Sequence, residues 1–232
     1  MRYYWGNQFA LYDEKEPIEA IVTFLTDRKI IPPCENMYDG FDEFRKYIYD
    51  NFYHNGFYTS ISPEDEVLLY VMSKIMQPKS AFVGGAYYGY FAVWAMRTIS
   101  DNGGTIVLSD VNRDVCILAM ANFINLGYEK NTKVYCEDAI KLLSKRTEPI
   151  DMMLLDAVGR YDDPRPEYRG KRIYVPMLEA ARHLLKKGSA IVLHNMRPRG
   201  HETKVLVDKL HSLGAVGTSY DSSAGIGVYI VQ

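Results

Sequence analysis

Between Gln77 and Trp94 the chain runs QPKSAFVGGAYYGYFAVW, a short apolar segment that reaches a glycine-containing turn and then resumes with helical spacing. The pattern reads as strand, turn and helix. Ala81, Phe82 and Val83 suit a buried strand, while Phe91, Val93 and Trp94 begin a helix whose first amides face whatever the turn cradles. Gly84, Gly85 and Gly89 lack a Cβ and let backbone approach a ligand closely. A tight turn with no ligand uses glycine in the same way, so the turn by itself leaves both readings open.

The chain after the turn repeats the same alternation. Upstream, SISPEDEVLLYVMSKIM predicts a helix capped at Ser62, with Pro63 at its first position and Glu64, Asp65 and Glu66 in the first turn, where the helix dipole favours anions. Downstream, apolar strands are expected at 105–109, 133–136, 150–155 and 190–194, with helices at 111–127, 139–145, 175–187 and 202–213 between and after them. The tail AVGTSYDSSAGIGVYIVQ alternates like a hairpin joined through residues 222–225. Strands separated by helices predict an α/β fold: a doubly wound, mostly parallel sheet with right-handed crossovers, finished by an antiparallel pair. Ligands of such sheets sit beyond the carboxyl ends of the strands, where the turn, Asp110, Asp138, Asp156 and His194-Asn195 all fall. An acid at the end of the second strand is placed to accept hydrogen bonds from ribose hydroxyls, or to cap the helix that follows.

Residues 1–58 differ from the rest in their aromatic density: Tyr3, Tyr4, Trp5, Phe9 and Tyr12 are followed by Phe41, Phe44, Tyr47 or Ile48, and Phe52 at helical spacing, with Phe57 beyond them. They are expected to form a helical cap, either packed on the main core or lying as a lid of rings over a ligand, ahead of a ligand-binding domain at 59–232. Net charge of -2 and a pI near 6.2 provide no general basic field for a polyanion, so nucleic acid is not the expected partner. Cys34, Cys116 and Cys136 are widely spaced, and the N-terminus has no signal-like apolar region, which points to the cytoplasm. No apolar run nears the roughly 20 residues that a membrane span needs.

The segments SISPEDE, FVGGAYYGY, VLSDVN, ANFINLGY, CEDAIKLL, IDMMLLDA and GSAIVLHN resemble, in order and spacing, the small class I S-adenosylmethionine-dependent O-methyltransferases of the catechol and caffeoyl-CoA type. The resemblance covers the chain from about residue 61 to its end. It implies a Rossmann-like sheet of seven strands that binds S-adenosylmethionine. Gly85 and Gly89, with Gly84, Tyr87 and Tyr90 around them, would face the methionine part of the cofactor. Asp110 and Val111 would lie at the ribose, Asp138 and Ala139 at the adenine, and Asp156 beside them.

The chain also departs from that family. The acid of the first strand is Val83, and the central glycine of the motif is Tyr87. Metal-dependent members use an Asp, Asp, Asn set; the matching positions are Asp156, His194 and Asn195, a combination better suited to Mn, Fe or Zn than to Mg. No metal is assigned on this basis, and His194 reads instead as a base or hydrogen-bonding residue. The family's lysine shortly after the first Asp is missing from DAVGRY. A sulfonium is a cation without N–H donors, so the faces of Tyr87, Tyr88 and Tyr90 suit it, or else these rings pack the helix. His194, Asp156 and Tyr88 are the candidate catalytic residues. Two reactions fit: methyl transfer to a small-molecule acceptor, or attack on the aminobutyrate arm with release of methylthioadenosine, as in azetidine-2-carboxylate and nicotianamine synthases. Homodimer formation is left open.

Overall fold

The computed structural model describes residues 14–58, 61–196, 201–220 and 224–232, apart from the side chains of 201 and 202. The strands are β1 (Ser80–Gly84), β2 (Thr105–Asp110), β3 (Thr132–Cys136), β4 (Ile150–Leu155), β5 (Leu185–His194), β6 (Ala215–Tyr220) and β7 (Ile226–Val231). They form one sheet in the order β3-β2-β1-β4-β5-β7-β6. Pairings from β3 to β5 are parallel, and β7 is antiparallel to both β5 and β6. The chain runs outward from β1 to β3, then returns to the other side of β1 with β4. That reversal is the crevice where open α/β sheets bind ligands.

Side-chain alternation along the strands divides the interior into two cores. Ala81, Val83, Ile106, Leu108, Met152 and Leu154 point to one face, and Phe82, Val107, Met153 and Leu155 to the other. The first face is covered by α3 (Pro63–Met76), α4 (Tyr90–Val93), α5 (Met96–Asp101) and α6 (Arg113–Asn125), the second by α7 (Ala139–Lys145), α8 (Tyr174–Ala181) and α9 (His201–Ser212). Being buried on both faces explains why the central strands read as unbroken apolar runs.

Two N-terminal helices, α1 (Glu16–Asp27) and α2 (Phe41–Asn51), bury Ile18, Ile21, Leu25, Phe41, Phe44 and Ile48 in the first core. Phe41 meets Tyr70 of α3 at 5.2 Å between ring centroids, and Phe44 meets Trp94 edge-on at 6.1 Å. Tyr3, Tyr4, Trp5, Phe9 and Tyr12 lie outside the described residues. So do 221–223, within the expected hairpin turn.

Three expectations need correction. The helix after the glycine turn is broken at Trp94-Ala95 into two short pieces, α4 and α5. The helix expected over 175–187 ends at Ala181, and β5 begins earlier, at Leu185, because Leu185 pairs with Ile150 across a bulge. The cap of α6 is Asn112, whose side chain accepts from the amide of Asp114, and not Asp110. Among the described residues no helix is long and apolar enough to cross a membrane.

Candidate functional site

The turn after β1 is held by backbone. The amides of Gly85 and Ala86 both donate to the carbonyl of Ser109, and Gly84 accepts from the amide of Asp156, so the turn lies between the ends of β2 and β4. Gly85 has φ +77, and a Cβ there would sit 2.3 Å from Ala157 Cα. Gly89 has φ +93 and lies against the ring of Phe123, which a Cβ would meet at 2.6 Å. Tyr87 takes a left-handed φ of +48 although it is not glycine. Its amide donates to Asp110 Oδ2 at 2.9 Å, while Asp110 Oδ1 accepts from the amide of Asn112 at 3.0 Å. Asp110 thus fastens the turn to the end of β2 and keeps further lone pairs for a ligand. Since α4 is a single turn of four residues, the expectation of a helix terminus facing the ligand is much reduced.

The other cofactor-side candidates share this edge. Val111 follows Asp110 with its side chain largely exposed. Asp138 caps α7, its Oδ1 accepting from the amide of Lys141, and Ala139 is buried behind it near Gly84.

The three tyrosines of the turn have different surroundings. Tyr88 is fully buried; its ring stacks with Phe57 at 5.8 Å and its hydroxyl meets His54 Nδ1 at 3.1 Å. Tyr90 is also buried and donates to Glu66 Oε1 at 2.7 Å. Only Tyr87 is open, 40% exposed, with Phe57 edge-on at 5.5 Å. The segment after α2 therefore packs on the turn through Phe52, His54 and Phe57. Asn122 of α6 secures it: its amide oxygen accepts from the Tyr53 amide, and its NH2 donates to the carbonyls of Tyr53 and Tyr88. Asn122 and Phe123 together give the ANF segment its physical role. Beneath the rings, burial raises the Glu66 carboxyl to about 7 against the opposing pull of Arg45, Tyr90 and Tyr49.

At the ends of β4 and β5 the side chains are charged and enclosed. Asp156 Oδ1 accepts from Lys171 Nζ at 2.8 Å and from His194 Nδ1 at 3.0 Å. His194 Nε2 faces Asp65 Oδ2 at 3.2 Å, and that oxygen also accepts from the amide of Ser62. Lys171 donates further to the Asp156 carbonyl and to the Tyr174 hydroxyl, which itself donates to the His194 carbonyl. Burial alone would lower the His194 pKa, but the two carboxylates prevail and raise it to about 9. Burial pushes the Asp156 carboxyl up, yet His194 and Lys171 hold it below its ordinary value; burial lowers the Lys171 ammonium, with Asp156 opposing.

The structure thus brings together Asp156 and His194 with the turn beside them, but gives His194 a different setting from the one expected. It has no solvent exposure and both ring nitrogens face carboxylates, so it holds a proton instead of receiving one. Tyr88 lies within the aromatic cluster and not at an open surface. The metal-ligand positions do not fit a divalent ion. A cation at Asp156 would lie beside an ammonium and an imidazolium, each unit-charge repulsion at about 4 Å amounting to roughly 4 kcal/mol near a protein surface. Lys171, Asp65 and Tyr174 were missed by the sequence reading. Asp65 had a signal, as the acid three residues after a serine cap, while Lys171 had none beyond its place in a charged loop.

Residues 83–196 match the family described as "Methyltransferase domain". A catechol O-methyltransferase of Niastella koreensis is 26% identical over 141 residues, which make up 59% of this chain and 58% of that protein. The aligned stretch therefore spans less than two thirds of the relative's length. An O-methyltransferase from Bacillus cereus, solved in complex with SAH, has a TM-score of 0.62 at 17% identity, covering 93% of this chain and 100% of that one. An O-methyltransferase from Streptomyces achromogenes involved in tomaymycin synthesis, solved with SAM, has a TM-score of 0.56 at 16% identity, covering 95% of this chain and 100% of that one. At these identities the structural likeness is one of fold.

Proposed function

We propose that the chain, whose residues 83–196 match the family described as a methyltransferase domain, takes S-adenosylmethionine as cofactor and methylates an oxygen of a small-molecule acceptor. The observation that carries the reading is the position of Asp156. Its amide is bonded to Gly84 of the turn, its Oδ1 is fixed by Lys171 and His194, and its Oδ2 has no hydrogen bond to a described residue. A carboxylate oxygen is thereby left for a ligand beside the turn.

On this reading the turn carries the methionine part of the cofactor, Asp110 the ribose hydroxyls, and Asp138 with Ala139 the adenine. The exposed face of Tyr87 would suit the sulfonium. When bound, S-adenosylmethionine would supply a methyl group to the acceptor oxygen and be left as S-adenosylhomocysteine. Asp156 Oδ2 accepts the hydroxyl proton and passes it to solvent, while His194 and Lys171 keep the carboxylate oriented.

Incubation with S-adenosylmethionine and a panel of phenols and alcohols, followed by mass spectrometry, tests the proposal. The expected result is S-adenosylhomocysteine and methylated acceptor in equal amounts, both lost in Asp156→Ala. Methylthioadenosine with a four-carbon amino acid product would favour attack on the aminobutyrate arm, which draws no support from the relatives. No product with any acceptor would overturn both.

A further inference from the structure

We propose that the place of the divalent cation in metal-dependent relatives is filled in this chain by its own cations, the Lys171 ammonium and the His194 imidazolium. The acceptor is then a single hydroxyl, not a vicinal diol gripped by a metal. The inference rests on the methyl-transfer reading above.

The donors are already committed. A metal-bound imidazole presents a nitrogen lone pair, yet His194 Nδ1 lies 3.0 Å from Asp156 and Nε2 lies 3.2 Å from Asp65, in a side chain with no solvent exposure. A neutral ring has one N–H, so only the doubly protonated form donates to both carboxylates at once. Lys171 uses its three N–H groups on Asp156 O, Asp156 Oδ1 and the Tyr174 hydroxyl. Two carboxylates and two cations leave the array neutral. Among the described residues, no group of three or more His, Cys, Asp or Glu side chains is arranged to hold a metal ion.

Topology explains how the ammonium arrives. The loop after β4 turns back on itself, Gly159 and Gly170 exchanging backbone hydrogen bonds, and returns Lys171 to the end of the strand it left. A Cβ on Gly159 would fall 1.7 Å from the Tyr168 carbonyl oxygen, so this close return depends on glycine. Lys171 is a positioning residue: it acts by fixing Asp156.

The test is a Mn2+ titration of the full chain monitored by electron paramagnetic resonance, in which binding removes the sharp signal of the free ion. Wild-type protein is expected to leave equimolar Mn2+ free. The Lys171→Met/His194→Asp double variant, which removes both cations and restores two aspartates with Asn195, is expected to bind Mn2+ at least about ten-fold more tightly than wild type. Stoichiometric binding by wild type, displaced by Mg2+, overturns the proposal, as does a folded double variant that binds no better than wild type. Should the variant not fold, turnover of a monohydroxyl phenol and of catechol by wild type, with and without EDTA, decides: indifference to EDTA with both acceptors is expected, and loss of turnover on chelation overturns it. If the methyl-transfer reading itself fails, no S-adenosylhomocysteine forms in any tube, while the Mn2+ titration still answers.

Discussion

The carboxyl ends of β1 to β3 and those of β4 and β5 solve opposite problems on one edge of the sheet. Around Gly85 the structure consists of backbone amides, missing Cβ atoms and one carboxylate, Asp110, which holds the turn through the Tyr87 amide and its own strand end through the Asn112 amide. Around His194 it consists of side chains: two carboxylates, an imidazolium and an ammonium, drawn from positions 65, 156, 171 and 194. The first region is shaped by what it leaves out and can open to a ligand. The second is filled with charges that satisfy one another, so removing any one leaves a buried charge with one partner fewer.

The largest expected effect sets these regions apart by stability. Asp65→Ala should cost about 3 to 5 kcal/mol, because it strips a buried imidazolium of one carboxylate. Asp110→Ala, losing two amide contacts near the surface, should cost about 1 to 2 kcal/mol. Urea unfolding of both variants measures the gap, and equal costs would mean that the array adds nothing to the fold. The next effect is in pH. The folded pKa of His194, about 9, lies above its ordinary 6.5, so its contribution is complete below pH 6.5 and is lost as pH rises through 9. That loss should reach about 3 kcal/mol. Unfolding curves across this range should slope downward for wild type and flatten for His194→Gln; parallel slopes would place the titration elsewhere.

The same contrast decides how much of the molecule was legible in its sequence. Strands β1, β2 and β4 are short apolar runs that stop at a glycine or an acid, and that local pattern suffices because burial on both faces dictates it. The glycine turn, Asp110 and Asp138 stand where strand ends put them for the same reason. Lys171 could not be found this way, since only the return of a loop through Gly159 and Gly170 brings it to Asp156. Asp65 was visible as one of three acids in the first turn of its helix, but its contact with His194 is made across 129 positions of chain. The early start of β5 was hidden because Lys186, Lys187 and Gly188 look like a helix end; strand pairing with Ile150 overrides that local preference.

Two substitutions sharpen the cofactor side. Gly85→Ala places a Cβ against Ala157 at a left-handed φ and should cost about 2 to 3 kcal/mol of stability, with S-adenosylhomocysteine binding lost by calorimetry. An alanine tolerated without loss would mean that the turn can relax away from β4. Asp110→Asn keeps an acceptor for one amide but gives up the charge. It should weaken S-adenosylhomocysteine by about 10- to 100-fold, the range of a hydrogen bond to a charged group. Unchanged affinity would remove the ribose role from Asp110 and leave it only the task of holding Tyr87 and Asn112.

Tyr87 is the smallest effect and the most discriminating. Its left-handed backbone costs roughly 1 kcal/mol, which Tyr87→Gly would recover. The same change removes ring contacts with Phe57 and Tyr88, of roughly similar size, so net stability should move little. Binding should not be so balanced. S-adenosylmethionine carries a sulfonium and S-adenosylhomocysteine a neutral thioether, and a ring facing the sulfur distinguishes them by about 0.5 to 2 kcal/mol. Tyr87→Gly should therefore weaken the cation by a few-fold to about thirty-fold while leaving the thioether unchanged. A parallel loss for both would show that the ring acts by shape alone, and the cation would then have to be held by oxygen atoms of the turn.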